Sequence, residues 1–372
     1  MPRLLAVFLA GAGASVSADV LNRFIDPVDG MFDISSGGGD RKSFLPVPII
    51  ISEPAVGYGG GVAVLFFKEA PQAGDASLPK PPPDVFGAGA FLTANGTKGA
   101  AAGGQWSFGD DRYRYRGGVG DFTIKLDFYG IGDSLPLSVD KIGYTLKGLG
   151  SFQQGMMRLG ASDTFVGLRW IYLDLATQLS VPPSDAGLTE RQLARRSSGL
   201  GVTIEHDSRD NIFTPNRGVL AAAEATFYDQ AFGGSNRFES YRAHVFDYVP
   251  LASRWTLGLR ADARVARGDV PFYMLPFIEL RGIPAARFQD RNVAVLETEL
   301  RYDVDERWSV VGFAGAGKAW GRDTFSTAET PASGGVGFRY LIARRLGLYV
   351  GLDYAKSSVG DAVYIQIGSA WR

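Results

Sequence analysis

From about residue 200 to the C-terminus, apolar residues return at every second position, the period of a strand with one oily face. In residues 346–355, Leu346, Leu348, Val350, Leu352 and Tyr354 alternate with Gly347, Tyr349, Gly351 and Asp353. Val336, Phe338 and Tyr340 alternate in the same way with Gly335, Gly337 and Arg339. Within 255–265 the apolar set is Trp255, Leu257, Leu259, Ala261, Ala263 and Val265, and the opposite set includes Arg260, Asp262 and Arg264. Three ions on one strand face need water or partners. The pattern continues in 200–207, 219–228, 294–303 and 363–371.

Alternation alone does not identify the solvent, because a soluble sandwich alternates too. The runs are about 10 to 14 residues long, beyond the usual 5 to 6 of globular strands and near the ~9–11 that cross a bilayer at a tilt. Connections alternate between short (342–345, 303–307, 250–254) and long (320–333, 267–291, 231–236), as in barrels with short periplasmic turns and long external loops. Tyr248, Trp255, Tyr302 and Trp371 fall at strand ends on one side, where an interfacial girdle is expected. The spacing predicts an all-β transmembrane antiparallel barrel with strands near 46–52, 57–67, 84–94, 97–108, 112–129, 142–158, 165–175, 198–208, 218–229, 237–250, 254–268, 291–304, 307–318, 333–344, 346–356 and 361–371. That makes sixteen; fourteen is the alternative, because prolines interrupt the N-terminal pattern at Pro46, Pro48 and 79–83.

Composition narrows the classes further. The 372 residues carry 38 basic and 39 acidic side chains, so no nucleic-acid footprint is present. Cysteine is absent and only two histidines occur, His206 and His244, which removes disulfides, thiolate metal sites and multi-imidazole sites. No serine elbow or zinc-protease helix motif accompanies either histidine, so neither catalysis nor a cofactor is expected. Residues 1–18 read as a signal peptide: Arg3, an apolar run from Leu4 to Ala10, and small residues ending at Ala18. Residues 19–45, about 27 in number and too few for a domain, read as a flexible periplasmic tail or a lumen plug. The barrel is expected to occupy 46–372.

One stretch carries more than patterning. His206-Asp207-Ser208-Arg209-Asp210-Asn211, followed by Pro215-Asn216-Arg217-Gly218, resembles the "DTRDN…P…G" turn of the bacterial surface antigen family, the BamA/TamA-type outer-membrane barrels. Leu280-Arg281-Gly282-Ile283 sits in the longest loop of the C-terminal half, similar in place to that family's Arg-Gly loop, which folds into the lumen. Glu297 to Tyr302 looks like the strand that receives it, and 54–61 adds weaker support. The resemblance implies Asp207, Arg209, Asp210 and Gly218 as a periplasmic turn motif and an Arg281–Gly282 lock. Periplasmic POTRA modules, which assembly members of the family carry, have no room within 19–45.

The loop can also be argued from its own chemistry. Residues 272–278 (FYMLPFI) are apolar, and leaving them exposed outside the membrane would cost ~25 cal/mol per Å², so the loop should turn inward. By strand parity the lumen wall carries Glu205, Glu224, Asp262, Glu297, Glu299 and Asp353 beside Arg260, Arg264, Arg301 and Arg339. Glu299 is the first expected partner of Arg281 and Glu297 the second, since a guanidinium fork matches carboxylates. Two departures from the family pattern stand out: Ile283 replaces the usual aromatic, and Phe313-Ala314-Gly315 lacks the usual aspartate. Three functions stay open: a barrel that assists insertion of outer-membrane proteins or lipids, a passive channel, and a structural or surface-display barrel. The expected partners are outer-membrane lipid, and for the first function nascent outer-membrane proteins or a periplasmic accessory protein.

Overall fold

The computed structural model describes residues 24–35, 44–68, 84–130, 139–193, 195–321 and 330–371; the expected signal peptide lies outside them. Sixteen strands follow in order: β1 (Phe44–Ile51), β2 (Gly59–Lys68), β3 (Asp84–Thr93), β4 (Lys98–Phe108), β5 (Tyr113–Phe128), β6 (Ile142–Arg158), β7 (Thr164–Leu179), β8 (Arg196–Asp207), β9 (Gly218–Tyr228), β10 (Phe238–Ala252), β11 (Trp255–Gly268), β12 (Asn292–Asp303), β13 (Trp308–Trp320), β14 (Ala332–Ala343), β15 (Leu348–Ser357) and β16 (Gly360–Ile367). Each pairs antiparallel with its sequence neighbour, giving one up-and-down sheet curled into a nearly closed barrel. The strand number is therefore sixteen.

Burial is inverted relative to a protein folded in water. On β8, Leu200, Val202 and Ile204 are exposed while Gly201, Thr203 and Glu205 are buried. On β12, Leu296 is 66 % exposed and its neighbour Glu297 is 5 % exposed. A wall that turns leucines outward and carboxylates inward is solvated by lipid. Outward-facing ions on β4 to β6, namely Lys98, Asp121, Lys125 and Lys147, gather toward the long-loop end, as the cross-strand pairs Lys98↔Thr123 and Thr123↔Lys147 place them. No described helix is long and apolar enough to cross a membrane; the strands do the crossing.

Four described connections at one end are long (180–195, 229–237, 269–291 and 321–331, of which 322–329 is not described), and most at the other are short (109–112, 253–254, 304–307, 344–347). Among the described connections the ten-residue turn 208–217 is the exception at the short-turn end. It reaches across the mouth of the barrel: the Asn211 side chain donates to the Leu346 carbonyl at 2.8 Å, and Arg301 reaches Asn216. Gly218 returns the chain into β9 with φ +97°, and a Cβ there would collide with the Ser208 carbonyl.

The long loop 269–291 folds inward on three apolar beds. Phe272 packs with Phe128, Ile142, Tyr144, Leu175 and Leu188. Val270 and Leu275 join Tyr228 and Phe238, and Ile278, Leu280, Ile283 and Phe288 lie on Val293, Val295 and Ala319. Glycines on β13 make the last bed flat: a Cβ on Gly317 would stand 2.6 Å from Ile278 and one on Gly315 2.8 Å from Leu280.

Two girdle expectations are corrected. Tyr248 and Trp371 face the lumen, 8 % and 4 % exposed, where they pack on Phe246. Tyr248 shares the inward face of β10 with His244 and Phe246. Trp371 is turned inward, away from Val363, Ile365 and the lipid, because Gly368, with φ +77°, ends β16 at Ile367, short of the expected 371. Trp255 and Tyr302 do pair on the outer face, 4.6 Å between ring centres.

Candidate functional site

Arg281 enters the lumen at the tip of the inward loop and is 8 % exposed. Its Nε donates to Glu297 Oε1 at 2.9 Å, and its Nη1 donates to Glu299 Oε2 and Asp353 Oδ2, both at 2.7 Å. The guanidinium also lies over the Phe313 ring, 3.5 Å from its centre. Phe313, which the sequence comparison marked only as a departure, therefore supplies a cation–π floor. The third carboxylate comes from Asp353 on β15, not from β13. Gly282 follows with φ +91°, its N–H donating to the Tyr364 hydroxyl at 2.9 Å while its carbonyl accepts from Ser357 Oγ at 2.7 Å.

The lumen charges around this point close on one another. Arg339 pairs with Asp353, and Arg260 reaches Glu297 at 3.3 Å and Asp262 at 3.1 Å. Asp262, 1 % exposed at its side chain, also receives Arg242 and Arg264 at 2.9 Å each. Arg264 goes on to Glu279 of the loop at 2.6 Å. Burial would push the Glu279 carboxyl up, but Arg264 outweighs it and holds the group below its ordinary range. Arg242, Arg260, Arg264, Arg281 and Arg339 thus face Asp262, Glu279, Glu297, Glu299 and Asp353, five against five. Trp371 Nε1 donates to Glu297 Oε2 at 2.7 Å, so the end of the last strand joins the same network.

Other sequence candidates lie apart from the lock. Glu205 pairs bidentately with Arg116 at 2.7 and 2.8 Å, and Glu224 pairs with Arg169. Arg301 belongs to the short-turn end, bonded to Asp303 at 3.1 Å and to the 208–217 turn. In that turn Asp207 grips Arg209 at 2.8 and 2.9 Å, and Asp210 Oδ1 accepts from the amides of Asn216 at 2.9 Å and Arg217 at 3.3 Å. Arg116 and Arg169 were missed from sequence because their partners lie three and two strands away, a pairing that depends on curvature; Arg242 was missed although it stands diagonally across the β10–β11 ladder from Asp262.

The second notable region is the meeting of the sheet's two edges. Hydrogen-bonded ladders join every consecutive pair from β1–β2 to β15–β16, and among the described residues no such ladder is formed between β16 and β1. A bond from the Ile365 amide of β16 to Ser52 Oγ, just past the end of β1, links them at 3.3 Å. The strands beside this seam are also the shortest: β1 and β16 have 8 residues each, whereas β6 has 17.

A lipid-facing, sixteen-stranded barrel with an arginine-locked internal loop is a transmembrane barrel of outer-membrane type. Residues 164–360 match the model of the Omp85 superfamily domain, just over half of the chain, and the chain belongs to that superfamily. No curated protein matches it in sequence. Among solved structures it is similar to BamA from Haemophilus ducreyi lacking POTRA domains 1–3 (12 % identity, TM-score 0.56, covering 89 % of this chain and 70 % of that one). It is also similar to CdiB from Escherichia coli (12 %, TM-score 0.58, covering 87 % and 61 %) and to CdiB from Acinetobacter baumannii (10 %, TM-score 0.51, covering 87 % and 59 %). The chain thus spans less than two thirds of either CdiB. These likenesses establish the fold; the chain is an outer-membrane barrel.

Proposed function

We propose that this barrel assists the entry of outer-membrane proteins or lipids into the membrane through the β1–β16 edge, its short-turn end facing the periplasm. The observation that carries the reading is the missing ladder at that single pair of neighbours. Unpaired edge strands present free N–H and C=O groups that template another strand, and inside a bilayer those groups have no water to satisfy them. An incoming hairpin supplies what the edge lacks. The short strands beside the seam add to this, since they leave a narrower apolar belt there. A passive channel is the weaker reading, because the inward loop and the 208–217 turn fill the lumen from both ends.

The test uses the whole protein in liposomes with an urea-unfolded small barrel as client. Folding of the client should be faster than in protein-free liposomes, and a Ser52→Cys/Ile365→Cys disulfide across the seam should remove the gain. No acceleration, or acceleration that survives the disulfide, overturns the reading. Ion conductance of pore size in a planar bilayer would favour the channel instead.

A further inference from the structure

Residues 24–35 form a short hairpin, bridged between Ile25 and Phe32, against the short-turn rim of β13 to β15. Three aspartates do the holding. Arg307, in the β12–β13 turn, donates to Asp26, to Asp29 at 2.5 Å and to Asp33 at 2.8 Å. Arg344, in the β14–β15 turn, donates to Asp26 at 2.8 Å and to Asp29 at 2.6 Å, and its amide donates to Asp33 at 2.9 Å. The Tyr340 hydroxyl donates to the Phe32 carbonyl at 2.7 Å, and the Ile34 amide to that of Ile342 at 2.9 Å. The apolar side chains of the hairpin contribute less: Val28 is 74 % exposed, and Ile25 and Met31 are 40 % exposed. Hydrogen bonding to Arg307 holds the Asp29 carboxyl far below its usual range. Burial works against Asp33, but its bonds to Ser35, Arg344 and Arg307 lower it as well. The attachment is ionic.

Its position in the topology gives it a use. Nine residue steps after Ser35 the chain enters β1 at Phe44, and in the sheet β16 stands between β15 and β1. We infer that the Asp26–Asp29–Asp33 hairpin is a strap across the seam, anchoring the start of β1 to the far side of β16 and limiting how far the two edges part. This rests on the seam being the working edge. Nine steps reach at most ~30 Å, whereas β15 and β1 are two strand spacings, ~10 Å, apart when the edges meet. The strap therefore tolerates a gap of a few strands and forbids detachment of β1.

The chain has no cysteine, so labels can be placed cleanly. Nitroxides at Pro48→Cys on β1 and Val350→Cys on β15 report the gap by pulsed electron resonance, on the whole protein in liposomes with the unfolded client present. With the strap native, the distances should stop at an upper limit, because nine steps bound the reach from Ser35 to Phe44. In Asp26→Asn/Asp29→Asn/Asp33→Asn they should extend past it. A second form carries a protease site within 36–43 and is cut only after folding, which frees β1 without touching the ion pairs; it should show the same extension. Identical distributions in the intact, triple-asparagine and cut proteins overturn the strap. Client acceleration in the same liposomes is read separately, so loss of the strap and loss of the proposed function are distinguishable.

Discussion

Replacing Arg281 with methionine removes one charge from a balanced set while keeping an apolar contact on Phe313. Five guanidinium groups then become four against five carboxylates. The orphaned acids are not free to find water: Glu297 and Asp353 side chains are 2 % and 0 % exposed, and only Glu299, at 19 %, has some access. Breaking a buried pair by deleting one partner costs ~3–5 kcal/mol. Arg339 and Arg260 still reach Asp353 and Glu297, which argues for the lower part of that range. About 3 kcal/mol is a roughly hundredfold fall in the folded-to-unfolded ratio, visible as a lower urea midpoint in detergent and as earlier loss of the compact band on a semi-native gel. The double variant Arg281→Met/Glu299→Gln restores the four-to-four balance and should recover most of the loss. If the single variant unfolds like the parent, the lock is not a source of stability; if the double is worse than the single, charge imbalance is the wrong cause.

Three further outcomes are expected. Gly218→Ala should lose ~1–3 kcal/mol of stability from the left-handed backbone and the Ser208 carbonyl, and more than Gly233→Ala, where φ is +91° but nothing lies within 4 Å of the new methyl; equal losses would remove the steric part of the argument. Trp371→Ala should cost ~3 kcal/mol by emptying the space against Phe246 and Tyr248, and near-infrared-labelled or fluorinated Trp371 should report a dry environment; a solvent-exposed signal would place the residue outside. Burial raises the Glu53 carboxyl above its ordinary value, with the Ala285 and Ala55 amides only partly offsetting it. A raised acid contributes stability that is present below its unfolded value of ~4.3 and is lost as pH rises through the folded one. Glu53→Gln, which mimics the protonated side chain and can still accept both amides, should be at least as stable as the parent at pH 7 and show a flatter melting profile between pH 4 and 7; a clear destabilisation at pH 7 would mean the charge itself is needed.

Much of this was legible from period two alone. Fourteen strands begin and end within two residues of the expected positions, because lipid on one side and ions on the other leave each residue one permitted face. The even prolines of β1 do not break the pattern, since Pro46 and Pro48 lie on the sheet's edge strand, where their missing N–H groups cost least. What escaped is everything that depends on closure. Trp371 carries the alternation of a lipid-facing residue, yet one glycine at 368 redirects it by a rotation no periodicity records. Asp353 as the third partner of Arg281 requires β15 to curve toward a loop 72 residues earlier. The aspartates of 24–35 lie in a stretch without strand period, and their partners are more than 270 residues away.

The lock and the seam are one mechanical system. Arg281 ties the loop to β12 and β15, and the next residue, Gly282, ties it to Ser357 on β15 and Tyr364 on β16. Three residues on, the Ala285 amide donates to Glu53 at 3.0 Å, in the connection that follows β1. The same few loop residues thus hold both edges, one just past Ile51 and the other at Tyr364, beside the Ser52–Ile365 bond. At the short-turn end β16 has already turned inward at Gly368. If the barrel works through this edge as proposed, separation starts away from these ties at Gly282 and Ala285. In the proposed function the arginine lock, by keeping those ties rigid, then sets how readily the seam opens.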